Sequence, residues 1–218
     1  MIMTNKAVIF DFDGTVADTV QDLCDSLNVA MRRFGYKEVE VGQVITYVGN
    51  GAKNLVSRCI GEPVGEDRLN EVLNFYNRTY IESGSKKTRP FDGVTAMLKT
   101  LKNRGYKLAI LTNKPQENTD DIVGRIFEKD LFDKVVGQSK NVKCKPDKTA
   151  TLNILKDFGV LPENAYFVGD GETDVITSIN AGTNGIAVLW GYRTKDQLAK
   201  VGATTFAYSV EDLLNIIP

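Results

Sequence analysis

The stretch "AVIFDFDGTVADT", residues 7–19, sets the organisation of the chain. Its apolar start leads directly into Asp11 and Asp13, which stand one residue apart and are followed by Gly14. A short continuous apolar run is typical of a strand buried on both faces of a parallel sheet. Carboxylates at the end of such a strand are costly unless their charge is compensated. The two aspartates are therefore the first candidate functional residues.

The apolar period changes after this strand. From Val16 to Phe34 apolar residues recur every three or four positions, which predicts an amphipathic helix with Thr15 as its cap. The sequence up to residue 83 continues as helices, and strands then alternate with helices of about ten residues. This order predicts an α/β fold: a Rossmann-like parallel sheet core with helices on both faces, plus an inserted all-helical cap domain. We place the core at residues 1–15 and 84–218 and the cap at 16–83.

Composition restricts the partners of the chain. It has 218 residues with 27 basic and 28 acidic side chains, a formal net charge of −1. This balance gives no reason to expect nucleic acid or an anionic membrane as partner. We see no signal peptide and no bilayer-spanning run. The three cysteines are far apart and odd in number, which favours reduced thiols and a cytoplasmic protein. The oligomeric state is not indicated.

The chain contains no histidine. Ser-His-Asp chemistry, histidine acid–base catalysis and imidazole metal ligands are therefore excluded. Catalysis must use carboxylates, hydroxyls, lysines or thiols. Any metal site must consist mostly of oxygen atoms, which favours a hard cation such as Mg²⁺.

Polar side chains follow several of the predicted strands. Ligands of open α/β sheets bind beyond the carboxyl ends of the strands, so these side chains are expected at one edge. They are Asp11, Asp13, Thr112, Asn113, Asp170 and Asp174, with Lys143 and Lys145 before a helix. Clustered carboxylates raise one another's pKa unless a cation neutralises them, and hydroxyls and ammonium groups hold phosphoryl oxygens. The set predicts Mg²⁺-dependent phosphate chemistry.

Other interpretations of the same residues are weaker. An aspartate at a strand–helix junction is often only a helix cap. Helix capping alone does not readily explain why several predicted strands change from apolar to polar residues at the same end. "DFDGT" is not a calcium loop, because its glycine is fourth and a strand precedes it. "GNGAKN", residues 49–54, lacks the third glycine of a dinucleotide-binding loop.

The four motifs "DFDGT", "LTN", "KCKP" and "GDGETD", in this order, resemble those of the haloacid dehalogenase-like phosphohydrolases. The resemblance covers essentially the whole chain. "YVGNGAKNLVSRCIG", "FDGV" and "WGYR" are most similar to the phosphoglycolate phosphatase branch. One departure is Gly171, where many relatives have serine.

The resemblance implies a role for each core residue. Asp11 is expected to be the nucleophile that forms an aspartyl-phosphate, and Asp13 the general acid and base. Asp11, the backbone carbonyl of Asp13, and Asp170 are expected to bind Mg²⁺. Thr112 and the Asn113 backbone N–H are expected to hold the phosphate, with Lys145 neutralising charge. Asp174 is expected to orient Lys145 or a metal-bound water.

The cap is expected to decide specificity. By resemblance, the loop formed by Gly49, Asn50 and Gly51 faces the core site, although an ordinary helix–helix turn is an equal alternative. Lys53 and Arg58 are candidates for binding a substrate carboxylate, with solvated helix-face charges as the alternative.

The function predicted from the sequence is a phosphatase acting on a small phosphorylated metabolite, similar to phosphoglycolate phosphatase. Asp13 favours a substrate with an oxygen leaving group, because this oxygen benefits from a proton. The alternatives are a pyrophosphatase or nucleotide phosphatase on the same scaffold, a sugar-phosphate mutase, and a non-enzymatic phospho-ligand-binding module.

Overall fold

The computed structural model describes residues 6–218. Its centre is a six-stranded parallel sheet in the order β5-β4-β1-β6-β7-β8. The strands are β1 (Lys6–Phe10), β4 (Tyr106–Pro115), β5 (Lys134–Gln138), β6 (Ala165–Gly169), β7 (Asn184–Val188) and β8 (Phe206–Ala207). The chain leaves β1 toward β4 on one side and later returns to β6 on the other. This switch places the candidate site beyond the carboxyl end of β1.

Helices cover both faces of this sheet, as predicted. They are α5 (Val94–Asn103), α6 (Gln116–Ile126), α7 (Thr149–Phe158), α8 (Glu172–Ala181), α9 (Lys195–Lys200) and α10 (Val210–Ile216), with a 3₁₀ turn at Pro162–Asn164. Strand β1 shows why both faces need cover. Val8 and Phe10 belong to one fully buried cluster, which includes helix α5, whereas Ala7 and Ile9 belong to a second, which includes helix α7.

Four helices form the segment between β1 and the rest of the sheet. They are α1 (Val20–Phe34), α2 (Val41–Tyr47), α3 (Ala52–Ile60) and α4 (Glu66–Glu82). Leu27 and Met31 of α1 and Val72 and Tyr76 of α4 lie in one buried cluster, which explains the predicted apolar period. The assignment of this segment as a separate cap domain stays a prediction.

The start of α1 differs from the prediction. The helix begins at Val20, and Thr15 does not cap it. The carbonyl of Phe12 accepts hydrogen bonds from the N–H groups of Thr15, Val16 and Ala17, which keeps this segment in a tight turn. Ala17–Asp18 (β2) then pairs antiparallel with Arg89–Pro90 (β3). This two-stranded ribbon joins the helical segment to the sheet at both of its ends.

Strand β4 is longer than expected and irregular. It continues through Thr112, Asn113 and Lys114, and its register with β5 shifts between Leu111 and Pro115. Such a bulge redirects side chains at the end of a strand. None of the helices within residues 6–218 combines the length and apolar character needed to cross a bilayer.

Candidate active site

The turn after β1 brings both aspartates of the first motif to one pocket. Asp11 continues the sheet, since its N–H donates to the Val168 carbonyl at 2.9 Å. The chain then turns at Gly14, whose φ of +85° is accessible to glycine at little cost. Asp11 and Asp13 both line the pocket between the sheet and the helical segment. Successive strand positions alternate in direction, so the turn is what allows both carboxylates to face the same ligand.

Asp13 has two protein partners. Its Oδ1 accepts a hydrogen bond from Thr19 Oγ1 at 2.6 Å and lies 3.1 Å from Lys114 Nζ. Both partners hold the carboxylate in place beside Asp11. An acid–base group needs such fixed orientation toward the proton it transfers.

Lys145 lies between two carboxylates. Its Nζ is 2.7 Å from Asp11 Oδ1 and donates to Asp174 Oδ1 at 2.6 Å. Asp174 is fixed in turn, because its Oδ2 accepts the N–H of Gly171 at 2.9 Å. All three side chains are buried. The predicted contact between Asp174 and Lys145 is therefore present in the structure.

Asp170 is fixed beside this cluster. Its Oδ1 accepts from Thr15 Oγ1 and its Oδ2 from the Tyr192 N–H, both at 2.8 Å. The backbone also packs closely around it: a Cβ on Gly14 would lie 2.3 Å from Asp170 Oδ2, and one on Gly191 2.4 Å from Asp170 Cβ. Only glycine fits at these two positions, so the local sequence builds a tight cradle for this carboxylate.

The donor set fits a hard divalent cation. Oxygen atoms of Asp11, Asp170 and Asp174 all lie within 4.8 Å of one another. Asp11 Oδ1 is buried and has the Lys145 ammonium beside it, at 2.7 Å. Carboxylate oxygens and an absence of histidine suit Mg²⁺ better than a transition metal. The Asp13 backbone carbonyl remains the predicted further ligand.

Two carboxylates of this cluster have raised pKa values. Burial, and then the neighbouring Asp174 carboxylate, raises the pKa of Asp11 to about 8. Burial and Asp174 also raise the pKa of Asp170 to about 7. Burial by itself would lower the pKa of Lys145, but Asp11 and Asp174 outweigh it and the pKa is raised. One ammonium among three carboxylates leaves the cluster negative, and a cation would favour the ionised forms.

Thr112 and Asn113 lie on the opposite side of Asp11, in the bulged part of β4. Both are buried and both line the pocket. The Asn113 side chain accepts the N–H of Lys145 at 2.7 Å and donates to the carbonyls of Lys145 and Gly49, at 3.1 and 3.0 Å. This one amide therefore connects the lysine motif to the glycine loop of the helical segment.

The glycine loop faces the core site, as the resemblance implied. Gly49 and Gly51 line the pocket, and a Cβ on Gly51 would lie 3.6 Å from the Asn113 carbonyl oxygen. Asn50, in contrast, lines a neighbouring cleft rather than this pocket. The two glycines therefore lie next to the core, and a role of the loop in substrate binding stays a prediction.

The structure does not bring Lys53 and Arg58 to the pocket. Lys53 pairs with Glu66 at 2.6 Å, and both side chains are exposed. Arg58 stacks on the Tyr47 ring and lines the neighbouring cleft. Helix α3 buries the face that carries Leu55, Val56, Cys59 and Ile60, which turns both cations outward. Neither cation lines the catalytic pocket, and the exposed pair of Lys53 with Glu66 agrees with the alternative of a solvated helix-face charge.

Sequence reasoning assigned no role to two cations in or near the pocket. Lys114 is buried beside Asp13, and its position directly after Thr112-Asn113 was the available signal. Arg193 donates to Glu172 at 2.9 Å and to the carbonyls of Ile45 and Val48, at 2.7 and 2.8 Å. It joins the loop after β7 to helix α2. The sequence feature from which Arg193 could have been found was the "WGYR" stretch.

The comparisons with known proteins assign the family. The model of the haloacid dehalogenase-like hydrolases matches residues 8–188. The chain belongs to the haloacid dehalogenase-like hydrolase family. The family, together with relatives that carry the name phosphoglycolate phosphatase, places the chain in the phosphatase class of enzymes.

Individual relatives are similar over nearly the whole chain. Phosphoglycolate phosphatase 1 of Pseudomonas aeruginosa is 31% identical over 96% of this chain and 78% of its own length. The phosphoglycolate phosphatase of Aquifex aeolicus is 30% identical, with 86% of each chain covered. A crystal structure from Lactobacillus delbrueckii subsp. bulgaricus has a TM-score of 0.91 at 30% identity and covers 99% of both chains. The α/β sheet with helices on both faces is thus confirmed.

Proposed function

We propose that the enzyme hydrolyses the phosphate monoester of a small metabolite through an aspartyl-phosphate on Asp11, with Mg²⁺ as cofactor. The observation that carries this proposal is the placement of Lys145 between Asp11 and Asp174, with Asp13 in the same pocket. The arrangement supplies a nucleophile, a cation and an acid–base group at one place.

In the first half-reaction, an Asp11 carboxylate oxygen attacks phosphorus and the bond between phosphorus and the ester oxygen breaks. Asp13 donates its proton to the leaving oxygen, which departs as an alcohol. Lys145 and Thr112 offset and hold the charge on the phosphoryl oxygens. The contacts of Asp13 with Thr19 and Lys114 support its role, because they orient one of its oxygens beside Asp11.

In the second half-reaction, Asp13 takes a proton from a water molecule, and the water oxygen attacks phosphorus. The bond between phosphorus and the Asp11 oxygen breaks, which restores the Asp11 carboxylate and releases inorganic phosphate. Over the cycle one ester and one water give one alcohol and one phosphate. The helical segment over the pocket supports this scheme by limiting the access of other water molecules.

Asp11 and Asp170, with the Asp13 backbone carbonyl, are the residues that would hold Mg²⁺. Bound there, the ion neutralises the carboxylates and polarises the phosphoryl group. Asp170 is rigidly held by Thr15 and Tyr192, so its position does not depend on the substrate. Asp174 would act indirectly, by holding Lys145.

The substrate we propose is phosphoglycolate or a closely similar compound. The names of the relatives in Pseudomonas aeruginosa and Aquifex aeolicus support this choice. A pyrophosphatase or nucleotide phosphatase on the same scaffold is the outcome that a substrate panel would reveal. We also propose a cytoplasmic location, supported by three cysteines that form no disulfide.

The test is phosphate release by the purified protein. We expect turnover of 2-phosphoglycolate with Mg²⁺, loss of turnover in EDTA, and a decrease on the order of 10⁴-fold or more in Asp11→Asn. Asp25→Asn is the matched control, because Asp25 pairs with Lys87 at the surface. Metal-independent turnover, or full activity of Asp11→Asn, would contradict the proposal.

The intermediate has its own test. In Asp13→Asn the second half-reaction lacks its base, whereas labelled p-nitrophenyl phosphate can still complete the first half-reaction because its leaving group departs without a proton, so acid quenching should trap phosphate on the protein. Hydroxylamine should release this label as expected of an acyl phosphate, and the double variant with Asp11→Asn should carry none. Label retained in the double variant would place the covalent bond on another residue.

A further inference from the structure

A buried cation, Lys114, lies on the Asp13 side of the pocket, where the leaving group is expected. The mechanism proposed above does not use Lys114 to bind phosphate. Lys114 is 6% exposed, and it lines the pocket together with Asp13. The phosphate side already has its own lysine, Lys145, which contacts Asp11 rather than Asp13. A buried ammonium is costly to desolvate, so its position on the Asp13 side requires an explanation.

The protein partners of Lys114 leave part of its capacity unused. Its Nζ lies 3.1 Å from Asp13 Oδ1 and donates to the Tyr80 hydroxyl at 3.3 Å, with the Tyr80 ring centroid at 4.6 Å. An ammonium has three N–H donors, so these two polar contacts leave one donor. The Tyr80 contact lies on the helical segment and Asp13 on the core, so Lys114 stands at the boundary where a substrate enters.

A second observation points to a ligand at the same wall. Asn77 and Asn118 line the pocket with Lys114, and the buried Asn77 Oδ1 has no hydrogen-bond partner among residues 6–218. Oδ1 is an acceptor and cannot bind a carboxylate, so Asn77 contributes to an anion site only through the donor Nδ2 of the same amide, which a half-turn of the side chain brings to the position of Oδ1. Asn77 is on helix α4, between Tyr76 and Tyr80, and Asn118 is on α6, so two different helices contribute an amide to the pocket lining. Leu55 and Tyr76 give the rest of the wall an apolar character.

We propose that Lys114, flanked by Asn77 and Asn118, forms a subsite for a carboxylate on the leaving group, so that Lys114 determines specificity for phosphate esters of short hydroxy acids. The inference rests on the proposed function. Lys114 stands between Asp13 and the leaving group's carboxylate, as Lys145 stands between Asp11 and the phosphoryl group. This role replaces the one predicted for Lys53 and Arg58, which lie outside the pocket.

The geometry also limits the length of the substrate. Asp13 must contact the ester oxygen, and Lys114 Nζ is only 3.1 Å from Asp13 Oδ1. A carboxylate one or two carbons from the ester oxygen can therefore reach Lys114 while that oxygen stays at Asp13. Longer chains would place the carboxylate beyond the subsite.

The experiment compares two esters that differ in one group. 2-Phosphoglycolate carries the carboxylate, and 2-hydroxyethyl phosphate has a hydroxymethyl group in its place. In Lys114→Met we expect kcat/KM for 2-phosphoglycolate to fall about 10- to 100-fold further than for 2-hydroxyethyl phosphate, mainly through KM. Lys114→Arg should recover part of this selectivity. Lys99→Met is the matched control, since Lys99 pairs with Glu128 at the surface, and should keep both values.

Equal losses for the two esters in Lys114→Met would overturn the inference, since Lys114 would then act only on Asp13 or on folding. A selective loss in Arg58→Met instead would place the carboxylate in the neighbouring cleft. If Lys114→Met does not fold, Asn77→Asp provides the test, because a negative charge there should disfavour 2-phosphoglycolate more than 2-hydroxyethyl phosphate. A wild-type enzyme that hydrolyses neither ester contradicts the proposed function, whereas one that hydrolyses both equally contradicts only the subsite.

Discussion

Two buried lysines stand at the two sides of the same pocket, and their surroundings differ. Lys145 contacts two carboxylates, Asp11 at 2.7 Å and Asp174 at 2.6 Å, and a third, Asp170, lies beside them. Lys114 contacts one carboxylate, at 3.1 Å, and the hydroxyl and ring of Tyr80. The first side is negative and needs a cation, whereas the second side is balanced by its own ion pair.

We therefore expect the Lys145 side to carry out the chemistry and the Lys114 side to recognise the substrate. The ionic contacts of Lys145 are made with Asp11 and Asp174, which both follow strands of the sheet. The Lys114 side needs Tyr80 and Asn77 from helix α4, so it depends on how the helical segment packs on the core. We expect changes at Lys145 to affect kcat and stability, and changes around Lys114 to affect the choice of substrate.

The largest effect is expected for Lys145→Met. The variant loses the cation that offsets the phosphoryl charge, so kcat should fall about 10²- to 10³-fold for carboxylate and neutral esters alike. It also leaves Asp11 and Asp174 buried without their partner, which costs about 3–5 kcal/mol of unfolding free energy. Steady-state kinetics with both esters and denaturant unfolding check the two parts. If kcat fell for only one of the two esters, Lys145 would also determine the choice of substrate, and the two lysines would not have separate roles.

The second prediction concerns the stability of the metal-free protein. The pKa of Asp11 is raised to about 8 and that of Asp170 to about 7. The folded state therefore binds more protons than the unfolded state between about pH 4 and pH 8, and stability falls as pH rises through this window. In EDTA, Tm should be about 4–8 °C lower at pH 8.5 than at pH 6, the effect of about 2 kcal/mol in a protein of this size.

Two controls sharpen this measurement. Mg²⁺ should raise Tm more at pH 8.5 than at pH 6, because it favours the ionised carboxylates. Asp11→Asn removes one titrating group and should reduce the slope, whereas Lys114→Met should leave it. A metal-free Tm that rises toward pH 8.5 would show that the cluster is already neutralised by the protein.

The features that could be predicted from the sequence lie mostly on the Lys145 side of the pocket. The features that could not be predicted lie mostly in the helical segment and its contacts. The strands β1, β4 and β6 and the residues after them were predictable, because apolar runs that end in polar residues mark buried parallel strands. The ribbon of Ala17–Asp18 and Arg89–Pro90 was not, because two-residue strands leave no periodic pattern. Its formation moves the start of α1 from Val16 to Val20.

The recognition side was harder to predict for a physical reason. A lysine is normally exposed, and Lys114 is buried only because Tyr80, 34 residues earlier in the chain, packs over it. Arg193 similarly reaches carbonyls of helix α2 that are distant in sequence. Conversely, Lys53 and Arg58 stand near the glycine loop in sequence, but the rotation of α3 turns them away from the pocket.

A third, smaller effect is expected for Thr19→Val. Thr19 Oγ1 donates to Asp13 Oδ1 at 2.6 Å, so the variant leaves Lys114 as the remaining protein partner of that oxygen. We expect kcat to fall roughly 3- to 10-fold through poorer orientation of the acid–base group. The ratio of kcat/KM for the carboxylate and neutral esters should not change, because Asp13 serves both. A changed ratio would show that recognition passes through Asp13 rather than through Lys114.

The smallest effect is expected for Tyr80→Phe. This variant removes the hydroxyl 3.3 Å from Lys114 Nζ and keeps the ring, whose centroid lies at 4.6 Å. Selectivity for 2-phosphoglycolate over 2-hydroxyethyl phosphate should fall about 2- to 5-fold, since one neutral hydrogen bond contributes about 0.5–1.5 kcal/mol. Tyr208→Phe is the matched control, because it removes a hydroxyl that accepts from another lysine, Lys195 at 2.9 Å, at an exposed position outside this pocket. If Tyr80→Phe keeps full selectivity and Tyr80→Leu loses it, the ring face rather than the hydroxyl holds the ammonium toward the substrate.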